Sequence, residues 1–427
     1  MNFSVLAGVY SIVVRYDFGR WSGGCVGMKR LCGLIAVAMA VTFAAGESEH
    51  TATPKGRGLD AELVSRAEDA VGSAVSWLVA QQSPSGSWSN PSFPALTGLP
   101  VWALSRSGQA GIATNIEQGV AYILACVSTN GIHDGAIFKE VQGRKGGGLA
   151  NYNTAICMTA LHAVGDRRLT PVVLKAREFL ARSQYLQKGQ HYGGMGYDPP
   201  TGRAYTDLSN SYLGYEAMRL TQDVEDLRPG GKTVDMNWKA AQEFMQGCHN
   251  DSSFNAASWA SSDAGEKGGF AYRPDEYRKN SGAYTNEAGE VKFRSMPGMT
   301  YAGLLSYIYA GVDRADPRVK ATVAWIQANW QLDRGNRNPD MAGKAEEREG
   351  LFYMYNILAK GLHAYGQDTL TLADGRTINW REALIRKLLA LQNPDGFWVN
   401  DNNRYWEGDP VLVTAYSLLA LETVLDR

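Results

Sequence analysis

The sequence predicts an all-α protein built as an α/α toroid, a closed barrel of six helical hairpins with an inner and an outer ring of helices. Two observations carry this expectation. A seven-residue turn, Gln-x-x-x-Gly-x-Trp, occurs as Gln82–Trp88 and again as Gln392–Trp398, each time between two apolar helical runs. Between these copies the second run of the unit returns in one register, at Thr97, Thr154, Ser211, Thr300, Tyr355 and Thr414, with steps of 57, 57, 89, 55 and 59 residues. Self-similarity at such a period marks a repeat architecture. An open stack would need end units with a polar outer face, and the sequence offers none, so the ring is expected to close.

Taken in order, the chain starts with residues 1–46, read as upstream sequence and a secretory signal peptide, with Met28 as the expected true start. Met28-Lys29-Arg30 is basic, Leu31 to Ala45 is apolar, and Ala44-Ala45-Gly46 supplies small residues for cleavage. That apolar run is too short for a stable membrane span, so export to the periplasm or the exterior is expected. Residues 47–65 read as a linker, and 66–427 as the toroid.

First helices of the six units are expected at Val71–Gln81, Ile116–Cys126, Val172–Gln184, Trp238–Cys248, Val319–Trp330 and Arg381–Leu391. In the fifth, Val319, Val323, Ile326 and Trp330 recur at helical spacing on one face. Glycine–aromatic turns follow several of them: Gly193-Gly194-Met195-Gly196-Tyr197, Gly268-Gly269-Phe270-Ala271-Tyr272 and Gly396-Phe397-Trp398. The second unit offers only Asn130-Gly131, and the fifth lacks the turn. Ser or Thr at five of the six register positions suits helix N-caps, whose side-chain oxygen accepts a free backbone N–H. The long step contains an insertion, about 250–297, expected to lie over one face as a lid or satellite hairpin.

Composition narrows the function classes. A formal charge of −1 argues against nucleic-acid binding, which draws on a basic excess. Eleven Trp, 21 Tyr and 47 Gly suit tight turns covered by rings and also aromatic-lined concavities. Beyond the leader the chain holds Cys126, Cys157 and Cys248. Three thiols make no closed disulfide framework, and no C-x-x-C pair suggests zinc. They read as small buried apolar residues, and neither a metal nor another cofactor is expected.

On the two Gln-x-x-x-Gly-x-Trp turns and the six hairpins, residues 66–427 resemble the squalene–hopene cyclase and protein prenyltransferase superfamily. The resemblance implies an α/α barrel with a central cavity for isoprenoid chains. Class II cyclases of that family protonate an alkene with Asp-x-Asp-Asp followed by Thr at the start of an inner helix. The corresponding stretch here is Asp207-Leu208-Ser209-Asn210-Ser211. The donor position holds Ser209 with Asn210 beside it, and neither side chain is acidic enough to protonate an alkene. The Asp/Cys/His zinc set of the prenyltransferases is absent as well: no Cys follows an Asp at the required spacing.

Three readings follow. The first is an exported toroid that binds a ligand or partner, an isoprenoid or other apolar small molecule or a glycan, without class II cyclase chemistry. The second is an enzyme acting on glycans, which would need two carboxylates about 5 to 10 Å apart. The third is an isoprenoid enzyme, on a substrate such as squalene, with an unrecognised acid. Candidate catalytic residues are Asp207, Glu407 and Asp409; the alternative for all three is helix capping, since acids are common at helix starts. Candidate cavity residues are His191, Tyr197, Asp198, Tyr353, Tyr355 and Trp406. A polar turn on the outer surface is the alternative for His191, Tyr197 and Asp198.

Overall fold

The computed structural model describes residues 58–427 apart from 142–147, 201–204, 277–281 and 336–341. The upstream segment, the leader and most of the expected linker lie outside the described residues. Among the described residues, twelve α-helices form six hairpins. They pair as α1 (Ala61–Ala80) with α2 (Ala95–Arg106), α3 (Ala113–Leu124) with α4 (Ala150–Ala163), and α5 (Thr170–Ser183) with α6 (Leu208–Leu220). The second half pairs α7 (Trp238–Cys248) with α8 (Pro297–Tyr309), α9 (Pro317–Ala328) with α10 (Leu351–Tyr365), and α11 (Trp380–Leu391) with α12 (Pro410–Val424). Helix α1 begins inside the stretch expected to be linker, because Asp60 caps it by accepting the Leu63 N–H at 2.8 Å.

The even-numbered helices form the inner ring. Each packs on the next, α12 packs on α2, and α1 packs on both α11 and α12, so the ring closes. Burial follows the same division. Inner α12 is buried continuously from Val411 to Val424, whereas outer α7 buries one stripe, Ala240, Ala241, Phe244, Met245 and Cys248. A helix apolar all round belongs inside, and an amphipathic one covers it. Cys126, Cys157 and Cys248 are free thiols, all buried.

The hydroxyls at the register position do not cap their helices as the sequence suggested. They lie within the first turns of the inner helices and hold the preceding turn. Thr97 accepts the Trp88 N–H at 3.1 Å, Thr154 that of Ile137 at 2.8 Å, and Ser211 that of Met195 at 2.8 Å. Thr300 accepts the Phe270 N–H at 3.1 Å, and Thr414 that of Trp398 at 3.0 Å. At the one position without a short hydroxyl, the Tyr355 phenol reaches the Leu332 carbonyl instead.

Three of the turns are also fixed to the next hairpin by a glutamine. Gln82 donates to the carbonyls of Gly86 and Asn115, at 2.9 Å each. Gln184 does the same to Gly193 and Asn237, at 2.9 and 3.1 Å. Gln392 reaches Gly396 and, across the closing seam, Ala70, at 2.8 and 3.0 Å. Trp77 and Phe397 stack across that seam with centroids 4.9 Å apart, and Ser89 hydrogen-bonds Asp409. The indole N–H groups of Trp88 and Trp398 cap the preceding outer helices on the Leu78 and Leu388 carbonyls, at 2.7 and 2.8 Å.

Glycine is required where a turn meets the next outer helix. Gly193 has φ +93°, and a Cβ there would sit 1.8 Å from the Ala240 carbonyl oxygen. In the second unit this place belongs to Gly135, with φ +87° and the Lys175 carbonyl 2.3 Å from its would-be Cβ, rather than to Gly131, which meets nothing.

The insertion carries two short antiparallel ladders, His249–Asn250 with Gly269–Phe270 and Ala283–Thr285 with Val291–Phe293. A small core holds it, with Trp259 stacked on Phe293 at 4.5 Å. A third ladder, Thr369–Thr371 with Thr377–Asn379, precedes α11 and was not expected.

Replacing Thr414 with Val leaves the buried Trp398 N–H without its acceptor, and should cost about 1 to 3 kcal/mol in chemical denaturation. Gly193→Ala should cost more, because the collision is with backbone and cannot be relieved by a rotamer. Equal denaturation midpoints for wild type and Thr414→Val would refute the stapling role.

Candidate functional site

Because each inner helix begins beside the turn that ends an outer helix, all six inner N-termini share one face. Asp207, Tyr197, His191 and Tyr353 come together on this face. Asp207 is the N-cap of α6: its Oδ1 accepts the Asn210 N–H at 2.8 Å and its Oδ2 the Asn210 amide at 2.7 Å. The Tyr272 hydroxyl also donates to it. The carboxyl is fully buried. Burial pushes it up to about 6, against the lowering pull of the Asn210 and Tyr272 hydrogen bonds and of Arg273. Capping and a proton near neutrality therefore coexist in one residue.

Tyrosines surround it. Tyr197 lies between Tyr152 and Tyr205, with centroids 6.3 and 6.4 Å away, and bonds the Tyr272 hydroxyl. Tyr353, in the first turn of α10, shares a 2.7 Å hydrogen bond with Ser209, and its ring meets Tyr416 edge-on at 6.0 Å. The Tyr152 and Tyr416 hydroxyls are 3.4 Å apart. Tyr152, Tyr197, Ser209, Tyr272 and Tyr353 all keep accessible surface, and Tyr205 is exposed. Burial holds the phenols of Tyr152, Tyr197, Tyr272, Tyr353 and Tyr416 above their ordinary range, so they stay protonated donors. Beside this wall His191 bonds Thr206 through Nδ1 at 2.8 Å, and its Nε2 is 3.5 Å from Asp275, which Arg273 also holds at 2.8 Å.

The other candidates are occupied elsewhere. Glu407 is buried and accepts the Tyr353 N–H at 2.8 Å and the Asn400 amide at 2.6 Å. Burial moves it up to about 7, opposed first by the Tyr353 N–H, then by Asn400 and the N–H groups of Leu351 and Phe352. It thus caps α10, whose own N-cap is Gly350 with no side chain to offer. Asp409 caps α12 through the Val411 N–H at 2.9 Å and holds Ser89. The expected Glu407–Asp409 pair is therefore spent on two helix ends. Asp198 accepts the Ala150 N–H at 2.8 Å and so caps α4 from outside. Tyr355 is buried with its phenol on the Leu332 carbonyl. Trp406 is exposed near the start of α12, its ring edge-on to Phe93 at 5.0 Å.

Tyr152, Tyr205, Tyr272, Arg273, Asp275 and Tyr416 were not among the sequence candidates. Tyr272 belongs to a glycine–aromatic turn that the sequence does show, and its carbonyl accepts the Leu208 N–H at 2.9 Å, next to Asp207. Among the described residues no group of three or more His, Cys, Asp or Glu side chains is placed to hold a metal.

Solved structures similar to this one in fold include the following. The chain is similar to the α-1,6-mannanase GH76A from Salegentibacter sp. HEL1_6, with TM-score 0.50 and 9% identity over 84% of this chain and 98% of that one. It is also similar to the type II terpene cyclase MstE from Scytonema in complex with geranylgeranyl dihydroxybenzoate, with TM-score 0.47 and 12% identity over 86% and 99%. A GH76 α-mannanase from Bacteroides thetaiotaomicron gives 0.49 and 10% over 84% and 95%. At these identities the likeness is one of fold. No family model and no curated protein matches the sequence.

The raised carboxyl of Asp207 has a consequence for stability. A folded state that holds a proton more tightly than the unfolded chain gains stability below the unfolded value and loses it as pH rises through the folded one. Asp207 should therefore contribute fully below about pH 4 and cease to do so above about 6. Asp207→Asn keeps a capping side chain, so wild type should lose about 2 to 3 kcal/mol relative to the variant between those limits. Parallel denaturation curves across this range would contradict the assignment.

Proposed function

We propose that this protein is an exported binding toroid whose ligand is polyhydroxylated and glycan-like, received on the face where the inner helices begin. The observation that carries the reading is the wall around Asp207. Tyr152, Tyr197, Tyr205, Tyr272 and Tyr353 offer ring faces and hydroxyls together, with Ser209 between them. Rings stack on the C–H faces of sugars while the hydroxyls, already joined to one another, can extend their hydrogen bonds to sugar O–H groups; a purely hydrocarbon chain would use the rings alone. The same argument weighs against an isoprenoid. Class II protonation fails on the residues themselves, since Ser209 and Asn210 stand where that chemistry needs acids.

One observation favours a second reading, in which the same face hydrolyses its ligand. A carboxyl titrating at about 6 is matched to general acid or base work near neutral pH. A fold neighbour at 9% identity shows the fold alone, so the fold itself does not choose between binding and hydrolysis. The choice of ligand class rests on the wall.

Calorimetric titration with mannan- and glucan-derived oligosaccharides, beside geranylgeraniol and squalene in detergent, separates the readings. Oligosaccharide binding should appear and should weaken about tenfold in Tyr197→Ala, the loss of one stacked ring. Product analysis of the same mixtures, with Asp207→Asn as control, decides between binding and hydrolysis. Isoprenoid binding with no response to any oligosaccharide would overturn the proposal.

A further inference from the structure

The opposite face, where the inner helices end, holds chemistry that the proposed function does not use. A cavity of about 860 Å³ opens there, lined by the last turns of the inner ring. Lys360 on α10 lies at its wall with only 7% of its side chain exposed. Its Nζ is 3.1 Å from Glu216 Oε2 and 3.5 Å from the Tyr212 hydroxyl, both on α6, and 4.2 Å from the centroid of the Trp102 ring on α2. The other Glu216 oxygen accepts the Tyr309 hydroxyl of α8 at 3.4 Å.

An ion pair that only tied α6 to α10 would make the same bonds, but it would have no need of an open chamber. Here amine, carboxylate, the Tyr309 phenol and an indole face a space large enough for a small metabolite. Burial lowers the Lys360 ammonium from its ordinary value, and Glu216 opposes that shift. The amine is thus desolvated, with a proton acceptor already in contact. Guanidinium groups of Arg106 and Arg427 line the same cavity beside Asp426; they meet Glu422 at 3.9 Å and Glu68 at 2.7 Å, and a ligand carboxylate would share them.

We propose that Lys360 is a reactive amine that takes up small carboxylate-bearing carbonyl compounds from this cavity as an imine. Glu216 first accepts one proton from the ammonium. The nitrogen lone pair then forms the C–N bond while the carbonyl π pair moves to oxygen. That oxygen leaves as water with the two remaining nitrogen protons, and the C=N bond forms. Nothing is oxidised or reduced, and no co-reactant is required. The Tyr309 hydroxyl lines the cavity on the other side of Glu216.

The test uses the full chain, glyoxylate as the probe, and cyanoborohydride to trap the imine as a stable amine, with peptide mass analysis over time. Label should accumulate on Lys360 about tenfold faster than on a solvated lysine; Lys188, 75% exposed, is the internal reference. Lys360→Arg keeps a cation for Glu216 and should remove the fast phase while circular dichroism stays native. Labelling of Lys360 no faster than Lys188 in the natively folded protein would overturn the proposal, as would a fast phase that survives Lys360→Arg.

Discussion

The ring depends on one hydrogen bond made five times. A side-chain oxygen in the first turns of an inner helix accepts the backbone N–H of the residue that closes the preceding turn, at Thr97, Thr154, Ser211, Thr300 and Thr414. That bond sets the height at which each outer helix hands over to its inner partner. Buried backbone donors must be satisfied, so the turn cannot slide along the helix without losing it. A constant handover height puts all six inner helices in register, and a ring requires such register. Trp88 and Trp398, fully buried, then fill the space left beside the turn.

The same constraint creates the recess around Asp207. With every inner helix starting at one level, the side chains of the first turns converge from different repeats. Tyr152 comes from the second, Ser209 from the third, Tyr353 from the fifth and Tyr416 from the sixth, while Tyr272 arrives from the insertion. No local stretch of sequence could assemble this wall. Asp207 is buried by it, and the cost of burying a charge leaves a carboxyl whose proton is within reach of neutral pH.

Much of the architecture was legible beforehand, for a physical reason. The Gln-x-x-x-Gly-x-Trp turn is sequence-encoded because Gln82 and Gln392 bridge two carbonyls and the glycine meets backbone. Gly135 escaped notice because Ala136 and Ile137 follow it where other turns carry an aromatic residue. The register hydroxyls were seen and misread: spacing places them at a helix start, but only the fold reveals that a turn N–H lies opposite. Asp207, His191, Tyr197 and Tyr353, which lie together on one face, stand out in the sequence because they border helix starts and turns. Glu407 and Asp409 look alike in sequence, yet one caps a neighbouring helix and the other its own. The third ladder was signalled only by Asp374-Gly375, a turn pair between two Thr-rich stretches.

The seam between the last and first hairpins has a consequence for how the molecule comes apart. Gln392 grips Ala70 as Gln82 grips Asn115, so the closing junction is held as the first one is. A linear array sheds its outermost unit by severing a single neighbour contact. A circle has no outermost unit, and releasing any hairpin means breaking two junctions at once. Partial unfolding is thereby suppressed all round, which holds the two ends of the inner ring in place together.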